Sequence, residues 1–351
     1  MIRIGLVGCG FIGSIHSLAL RGLAGGGLVD ARVVAAYDTD ASRGEATAAQ
    51  HPGAVAASCL DALVDAVDVI WVATWTAAHG EAVEAAARAG RAVFCEKPLA
   101  PTFEECRRVA EALRTVPHQV GLVLRRSPVF AAMAEAVARH GRPLAAVLRD
   151  DQYLPDQGVY GSTWRTDVHR AGGGTLIEHS IHDLDLLRWF LGDPETVAAR
   201  TGSRCGLPGI EDTAVVTLAY PDGTTATLVS VWHQVLTRPS TRRLEVFCED
   251  AFLWTEDDHL GPLHVETSAG SEVVEGRPPG WIGDLAVPAE LAVPLGQYAA
   301  PSKDFLDALA EGGSGFPDAA TALAAHRLVD LAYCSAAQGG VPLPVGTGPA
   351  R

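Results

Sequence analysis

Two short clusters and one lone lysine carry most of the chemistry this chain offers. The first cluster is Gly8-Cys9-Gly10-Phe11-Ile12-Gly13, set between the apolar run Ile4–Val7 and a stretch with Ile15, Leu18 and Leu20. In a strand–turn–helix, Gly8 permits the tight bend and Gly10 lets a pyrophosphate approach the backbone. Gly13 lets helix and strand pack closely, and the helix N-terminus offers unpaired N–H groups to phosphate. A lone G-x-G-x-x-G is a weak signal, but here an acid, Asp38, closes the next apolar run. A carboxylate there accepts hydrogen bonds from an adenosine ribose and repels a 2′-phosphate, so NAD is favoured, while Arg43 leaves NADP open. The competing reading makes Asp38 a cap for a helix beginning at Ala41.

Of 27 cationic residues only Lys97 and Lys303 are lysines. Lys can lose its proton near neutral pH when desolvated, which Arg cannot. Lys97 stands in Glu96-Lys97-Pro98, just past the buried run Ala92–Cys95, at the strand edge where open α/β sheets hold ligands. The alternative is a surface lysine paired with Glu96. Lys303 has no motif around it and serves as the control.

The second cluster follows Gly172-Gly173-Gly174. A helix expected from Thr175 to Leu191 puts Ile177, Ile181, Leu184 and Leu187 on one side, and Glu178, His182 and Asp185 on one polar stripe. Such a stripe on an apolar helix is expensive unless it faces a wet cleft or is paired. A carboxylate beside a histidine orients it and raises its basicity. A solvated face, or a metal site of Glu178, His179 and His182, are the alternatives.

These groups need a scaffold. Apolar runs Ile2–Val7, Arg32–Tyr37, Val67–Ala73, Ala92–Cys95 and Gln119–Leu124 alternate with helical patterns at Ala77–Ala89 and Phe103–Leu113. That alternation predicts an α/β, doubly wound parallel sheet over residues 1–125. Gly25-Gly26-Gly27 predicts an enlarged loop. From 126 to 351 the pattern predicts an α+β domain on a largely antiparallel open sheet. It comprises a helix at Val129–His140, a strand at Leu144–Tyr153 and mostly strands from Thr196 to Trp254. The proline-bearing stretch 276–296 reads as irregular, ahead of helices at Ser302–Ala310 and Ala319–Ala337.

With 351 residues, 48% of them hydrophobic and 20% charged, the chain suits two folded domains. A net charge of −15 argues against nucleic acid and anionic membranes as partners. No apolar run approaches the ~18 residues of a membrane span. Seven scattered cysteines without a C-x-x-C pair argue against a disulfide scaffold or structural zinc, and point to a reducing cytoplasm. The apolar run beginning at Ile2 reads as a strand, not as a leader.

Taken together, the Gly8–Gly13 loop, the Thr74…His79 segment, Glu96-Lys97-Pro98, the Arg125…Pro128 segment and the glycine-led helix with His182 and Asp185 resemble the glucose–fructose oxidoreductase / inositol dehydrogenase / rhizopine catabolism (Gfo/Idh/MocA) family along essentially the whole chain. The resemblance implies an N-terminal Rossmann domain binding NAD(P) through Gly8, Gly10, Phe11, Ile12, Gly13, Asp38, Thr74, Trp75, His79, Glu96, Lys97 and Arg125. It implies Lys97, His182 and Glu178 around the reacting carbon, and a homodimer or homotetramer.

Two positions depart from the family pattern. Glu178 replaces the usual Asp, and Thr74-Trp75 replaces Thr-Pro or Thr-Asn, setting an indole near the expected nicotinamide. The expected reaction is reversible oxidation of a secondary alcohol on a sugar, sugar derivative or inositol-like polyol, by hydride transfer. Tyr153, Trp164, Arg165, Asp167 and His169 are candidates for the sugar pocket alongside Lys97, Glu178 and His182. Trp232 and His233 join them, although each Trp is as readily a core anchor. The rival readings are an NAD-dependent glycosidase, an imine- or biliverdin-type reductase, and a non-catalytic dinucleotide sensor.

Overall fold

The computed structural model describes residues 1–158 and 161–346. In chain order the elements are β1 (Ile2–Val7), α1 (Phe11–Gly25), β2 (Ala31–Tyr37), α2 (Ala41–Ala48), β3 (Val55–Ala56), α3 (Leu60–Ala66), β4 (Val69–Val72), α4 (His79–Arg88), β5 (Ala92–Cys95), α5 (Phe103–Leu113) and β6 (His118–Val120). There follow α6 (Pro128–Arg139), β7 (Pro143–Tyr153), α7 (Val168–Ala171), α8 (Thr175–Glu178) and α9 (Ile181–Leu191). Strands β8 (Thr196–Gly202), β9 (Thr213–Ala219), β10 (Thr225–His233), β11 (Thr241–Cys248), β12 (Ala251–Thr255), β13 (Leu263–Thr267) and β14 (Gly270–Val274) come next. Then come α10 (Ala289–Ala310), α11 (Ala319–Ala337) and β15 (Leu343–Pro344).

Two compact units result: Met1–Val123 with Pro278–Leu323, and Leu124–Arg277 with Ala324–Arg351. The sequence divides the chain at 125/126; here the first segment ends at Val123, and residues 278–323 belong to the first unit as well. Apolar contact explains the return. On α10, Leu295 and Ala299 share a buried cluster with Ala19 and Leu23 of α1, while Phe305 and Leu306 share one with Trp71 and Phe94.

The first unit holds a parallel sheet ordered β3-β2-β1-β4-β5-β6, so the direction of winding reverses between β1 and β4. In such sheets ligands lie outside the carboxyl ends at that reversal. Three local expectations fail here. The last strand is shorter than Gln119–Leu124, and a 3₁₀ turn at Val123–Arg126 follows it. No enlarged loop forms at Gly25–Gly27. Instead α1 runs through Gly25 to a cap at Gly26, and the missing side chain leaves room for Ala286, whose Cβ would sit 2.8 Å from a Cβ on Gly25. Finally, α10 begins at Ala289 and contains Pro294 and Pro301. An interior proline costs about 3 kcal/mol, and burying a Leu or Phe side chain offsets about 1.5–3 kcal/mol of that. Leu295, Phe305 and Leu306 are all buried, so packing wins over propensity.

The second unit carries a sheet of nine strands among the described residues, ordered β14-β13-β12-β11-β7-β10-β9-β8-β15. It is antiparallel except where β7 and β10 run parallel. Its inner face packs Leu148, Leu228, Leu244 and Val246 against Phe130, Ile181, Leu184 and Leu187 of α6 and α9. Leu144, Val147, Val215 and Phe247 stay exposed.

Candidate active site

The glycine loop is built for close approach. Gly8 has φ +90°, and a Cβ there would sit 2.7 Å from the backbone of Ala73 and Thr74, just past β4. A Cβ on Gly13 would strike the Gly8 carbonyl, whereas one on Gly10 would meet nothing within 4 Å. Open space over Gly10 and a helix start with no side-chain cap aim the first turn of α1 at a position where a phosphate can approach. Phe11 is exposed and Ile12 half-buried at that start. Asp38 is half-buried, accepting from the Cys9 amide at 2.7 Å through Oδ2 and from the Asp40 amide at 2.9 Å through Oδ1. It does not cap α2. Asp40 does, accepting from Ser42 N at 3.1 Å. A carboxylate has about four lone-pair positions, so Asp38 retains capacity for a ribose. Cradle, helix start and acid fit a dinucleotide.

Lys97, half-buried, follows β5, and its amide donates to Glu96 Oε2 at 3.1 Å. Glu96 is itself buried, with His16 Nε2 at 2.7 Å from Oε1. Burial disfavours its charge most strongly. The His16 hydrogen bond and the charges around it outweigh that, holding the carboxyl below the usual range. His79 is a staple: Nδ1 meets Pro98 O at 2.8 Å and Nε2 meets Thr74 O at 3.2 Å, joining the turns after β4 and β5. Thr74 and Trp75 are half-buried in the first of those turns. Lys303, the control, is ion-paired with Asp307 at 2.6 Å on α10.

In the second unit the long helix expected from Thr175 to Leu191 is broken. The amides of His179 and Ser180 both bond to Thr175 O, His182 N turns back to His179 O, and the ladder restarts with Leu184 N on Ser180 O. The single stripe of Glu178, His182 and Asp185 therefore does not form as one helical face. Buried side-chain chemistry causes the break. Ser230 Oγ lies 2.7 Å from both Thr175 Oγ1 and Ser180 Oγ. One residue past His182, Asp183 accepts from Arg242 at 2.8 Å. Arg242 also reaches Asp258 at 2.9 Å and Asp150 at 3.4 Å.

The polar residues of this unit separate into distinct pairings. Glu178, fully buried, accepts from Arg165 Nε at 2.8 Å, and the Arg165 guanidinium lies 4.5 Å over the Trp164 ring. Trp164 and Arg165 thus come together with Glu178. Asp185 takes Arg125 in a two-point bond at 2.7 and 2.8 Å. Burial pushes the Asp185 carboxyl up against that pull, and the pair engages the arginine that the resemblance had given to the cofactor. Asp167 caps α7 through the His169 amide, leaving His169 exposed. His182 is buried on the first turn of α9. His179 Nδ1 accepts from Trp232 Nε1 at 3.0 Å, so neither Glu178 nor His179 is set up as a metal ligand. Trp232 is a buried anchor, while Tyr153 sits edge-on to His233 at a centroid distance of 5.7 Å.

Three supports escaped the sequence reading. Glu211 Oε2 and Oε1 accept from Gly174 N at 2.7 Å and Leu176 N at 2.9 Å, fixing the start of α8, with burial raising its carboxyl. Arg242 was one arginine among 25. His16 did have a signal: it follows Gly13 by three residues, on the loop's own helix.

A strand-end glycine cradle with an acid on the next strand, beside a lysine held past a fifth strand, defines a dinucleotide-dependent enzyme class. The chain belongs to the GFO/IDH/MocA oxidoreductase family. The family's NAD-binding Rossmann domain matches residues 2–122 and its C-terminal domain residues 130–253. NAD is accordingly its cofactor. Among similar proteins, the 1,5-anhydro-D-fructose reductase of Ensifer adhaerens is 34% identical over 245 residues, 68% of this chain and 70% of that protein. The inositol 2-dehydrogenase of Rhizobium meliloti (strain 1021) is 28% identical over 348 residues, 96% and 97% of the two chains. A levoglucosan dehydrogenase solved with NADH and levoglucosan superimposes with a TM-score of 0.86 at 23% identity, covering 99% and 100% of the two chains, a likeness of fold.

Proposed function

We propose that this protein interconverts a secondary alcohol and a ketone on a sugar, sugar derivative or inositol-like cyclic polyol. The observation that carries the reading is similarity, nearly end to end, to a protein named for inositol oxidation. NAD, when bound, accepts or returns the hydride. The protein's own residues must orient the alcohol and move one proton. Lys97 hydrogen-bonds the reacting oxygen and stabilises its developing charge; His182 exchanges the hydroxyl proton. Glu178, one methylene longer than the family's Asp, orients His182, and the Arg165 bond fixes that carboxylate. Trp164 and Tyr153 offer aromatic faces to the sugar ring. The Asp38 carboxylate makes NAD the preferred cofactor over NADP.

We further assign the chain to a homodimer or homotetramer, which the exposed Val147, Val215 and Phe247 of the second sheet support. The cytoplasm, a reducing compartment, suits its free cysteines.

The test is net reduction of added NAD by a panel of polyols, followed at the nicotinamide absorbance, in wild type and Lys97→Arg. Arg keeps the charge and loses the compact, titratable donor, so turnover falls by about 10²–10⁴. NAD affinity, titrated by protein fluorescence, stays within about threefold, since Arg keeps the charge. Near-normal turnover in the variant removes Lys97 from the mechanism. A wild type that hydrolyses glycosides without net NAD conversion is instead a cofactor-recycling glycosidase.

A further inference from the structure

One buried titratable residue has no part in the reaction as assigned. His16 is fully buried on α1, its ring held edge-on by Phe94 at 5.1 Å and Tyr298 at 5.6 Å. Nδ1 is buried with no hydrogen-bond partner among the described residues. The ring therefore turns its other nitrogen to the carboxylate, and Nε2–H donates to Glu96 Oε1 at 2.7 Å. The same carboxylate accepts from the Lys97 amide through Oε2. Gly121 leaves it room: a Cβ there would lie 2.8–3.0 Å from the Glu96 carboxyl atoms. The titratable groups facing Glu96 are His16 from α1, His79 from α4, Lys97 in its own turn and Cys95, whose thiol burial and the Glu96 charge push well up. Three elements thus converge to keep one negative charge beside Lys97.

We propose that His16 is a positioning residue for the reaction: its Nε2–H fixes the Glu96 carboxylate against the Lys97 amide, and that carboxylate sets the charge and orientation of the Lys97 amine. This rests on the assignment of Lys97 to the reaction.

The chain's two lysines make a direct test available. Acetylation with acetic anhydride across a pH series, read by peptide mass spectrometry, reports the protonation of Lys97, with Lys303 as internal standard. Glu96→Gln removes the charge and lowers the Lys97 midpoint by about one pH unit. His16→Leu moves it the same way by half that shift or more, because a buried carboxyl without its donor favours the neutral form. His16→Gln, which restores an amide donor, returns the midpoint toward wild type, and Lys303 does not move.

An unchanged Lys97 midpoint in folded His16→Leu overturns the proposal, as does a His16→Gln shift equal to that of His16→Leu. If circular dichroism shows His16→Leu unfolded, an unchanged midpoint in Glu96→Gln overturns it alone. The polyol assay is separate: a wild type that oxidises no polyol defeats the functional reading, and labelling still decides whether His16 governs Lys97.

Discussion

The two units hold their candidate groups by different physics. In the first, backbone shape dominates. Gly8 and Gly13 exclude side chains so that β1, α1 and the turn after β4 can touch, and Lys97 sits at a strand end. In the second, buried charge dominates. Asp183, the residue after His182, joins Asp150 and Asp258 around Arg242, which has only 8% of its side chain exposed. A steric device tolerates no added atom, while a charge device tolerates no removed partner, and the two fail under opposite kinds of substitution.

Arg242→Met should therefore have the largest effect on stability. It keeps the bulk of the side chain and takes the arginine from Asp150 and Asp183, both fully buried, where loss of one partner costs about 3–5 kcal/mol. Burial already pushes Asp150 well above the usual carboxylate range, against the pull of Arg242 and a hydrogen bond from Gln152. Urea unfolding monitored by tryptophan fluorescence would show the loss. A variant within about 1 kcal/mol of wild type, the scale of a surface ion pair, would mean the network does not hold the α8–α9 break.

Gly8→Ala and Gly10→Ala turn the comparison onto the first unit. At Gly8 an added Cβ meets φ +90° and backbone atoms at 2.7 Å. The expected destabilisation is about 2–4 kcal/mol, combining left-handed strain with overpacking. At Gly10 the methyl enters open space, so stability stays within about 0.5 kcal/mol, as for a surface change. NAD affinity, measured by calorimetry, should still fall there, because the methyl occupies the approach of the pyrophosphate. Equal stability losses at the two positions would erase the distinction between a packing glycine and a ligand-facing one.

The same contrast explains what the sequence revealed. The boundaries of β1, β5 and α5 follow from local rules: apolar runs, glycine turns and helical periodicity. The two-residue β3 and the short α3 carry too little of either pattern to be read. Lys97 and the Gly8–Gly13 loop were legible because a motif names them. The break at His179–Ser180 was not, because Thr175 and Ser180 look like ordinary helix residues until Ser230, fifty residues away, supplies their hydrogen bonds. Nor was the return of residues 278–323, since Pro294 and Pro301 argue locally against the helix that Leu295 and Phe305 stabilise by long-range burial. Arg125 and Asp185 were both noticed, but nothing local says that they bind each other.

The remaining expected effect emerges only on acidification and separates the units once more. His51 lies beside Ser17 of α1, Nε2 to Oγ 2.8 Å. Burial, then the nearby Arg21 charge, lowers its pKa from 6.5 to about 4. Between those values the unfolded imidazole binds a proton that the folded one refuses, so this group's contribution is present above about 6.5 and lost as pH falls toward about 4. Glu211 in the second unit has the opposite sign. Burial raises its carboxyl above 4.5, so the folded chain holds the proton longer and the group favours folding as pH falls through that window. His51→Gln keeps a donor for Ser17 and removes the titration. Its urea midpoint should fall less steeply than wild type between pH 6.5 and 4, with the two curves meeting at the upper end. Parallel curves across that range would show that His51 takes up its proton in the folded chain at its ordinary pH, and that the burial around Ser17 is not dry.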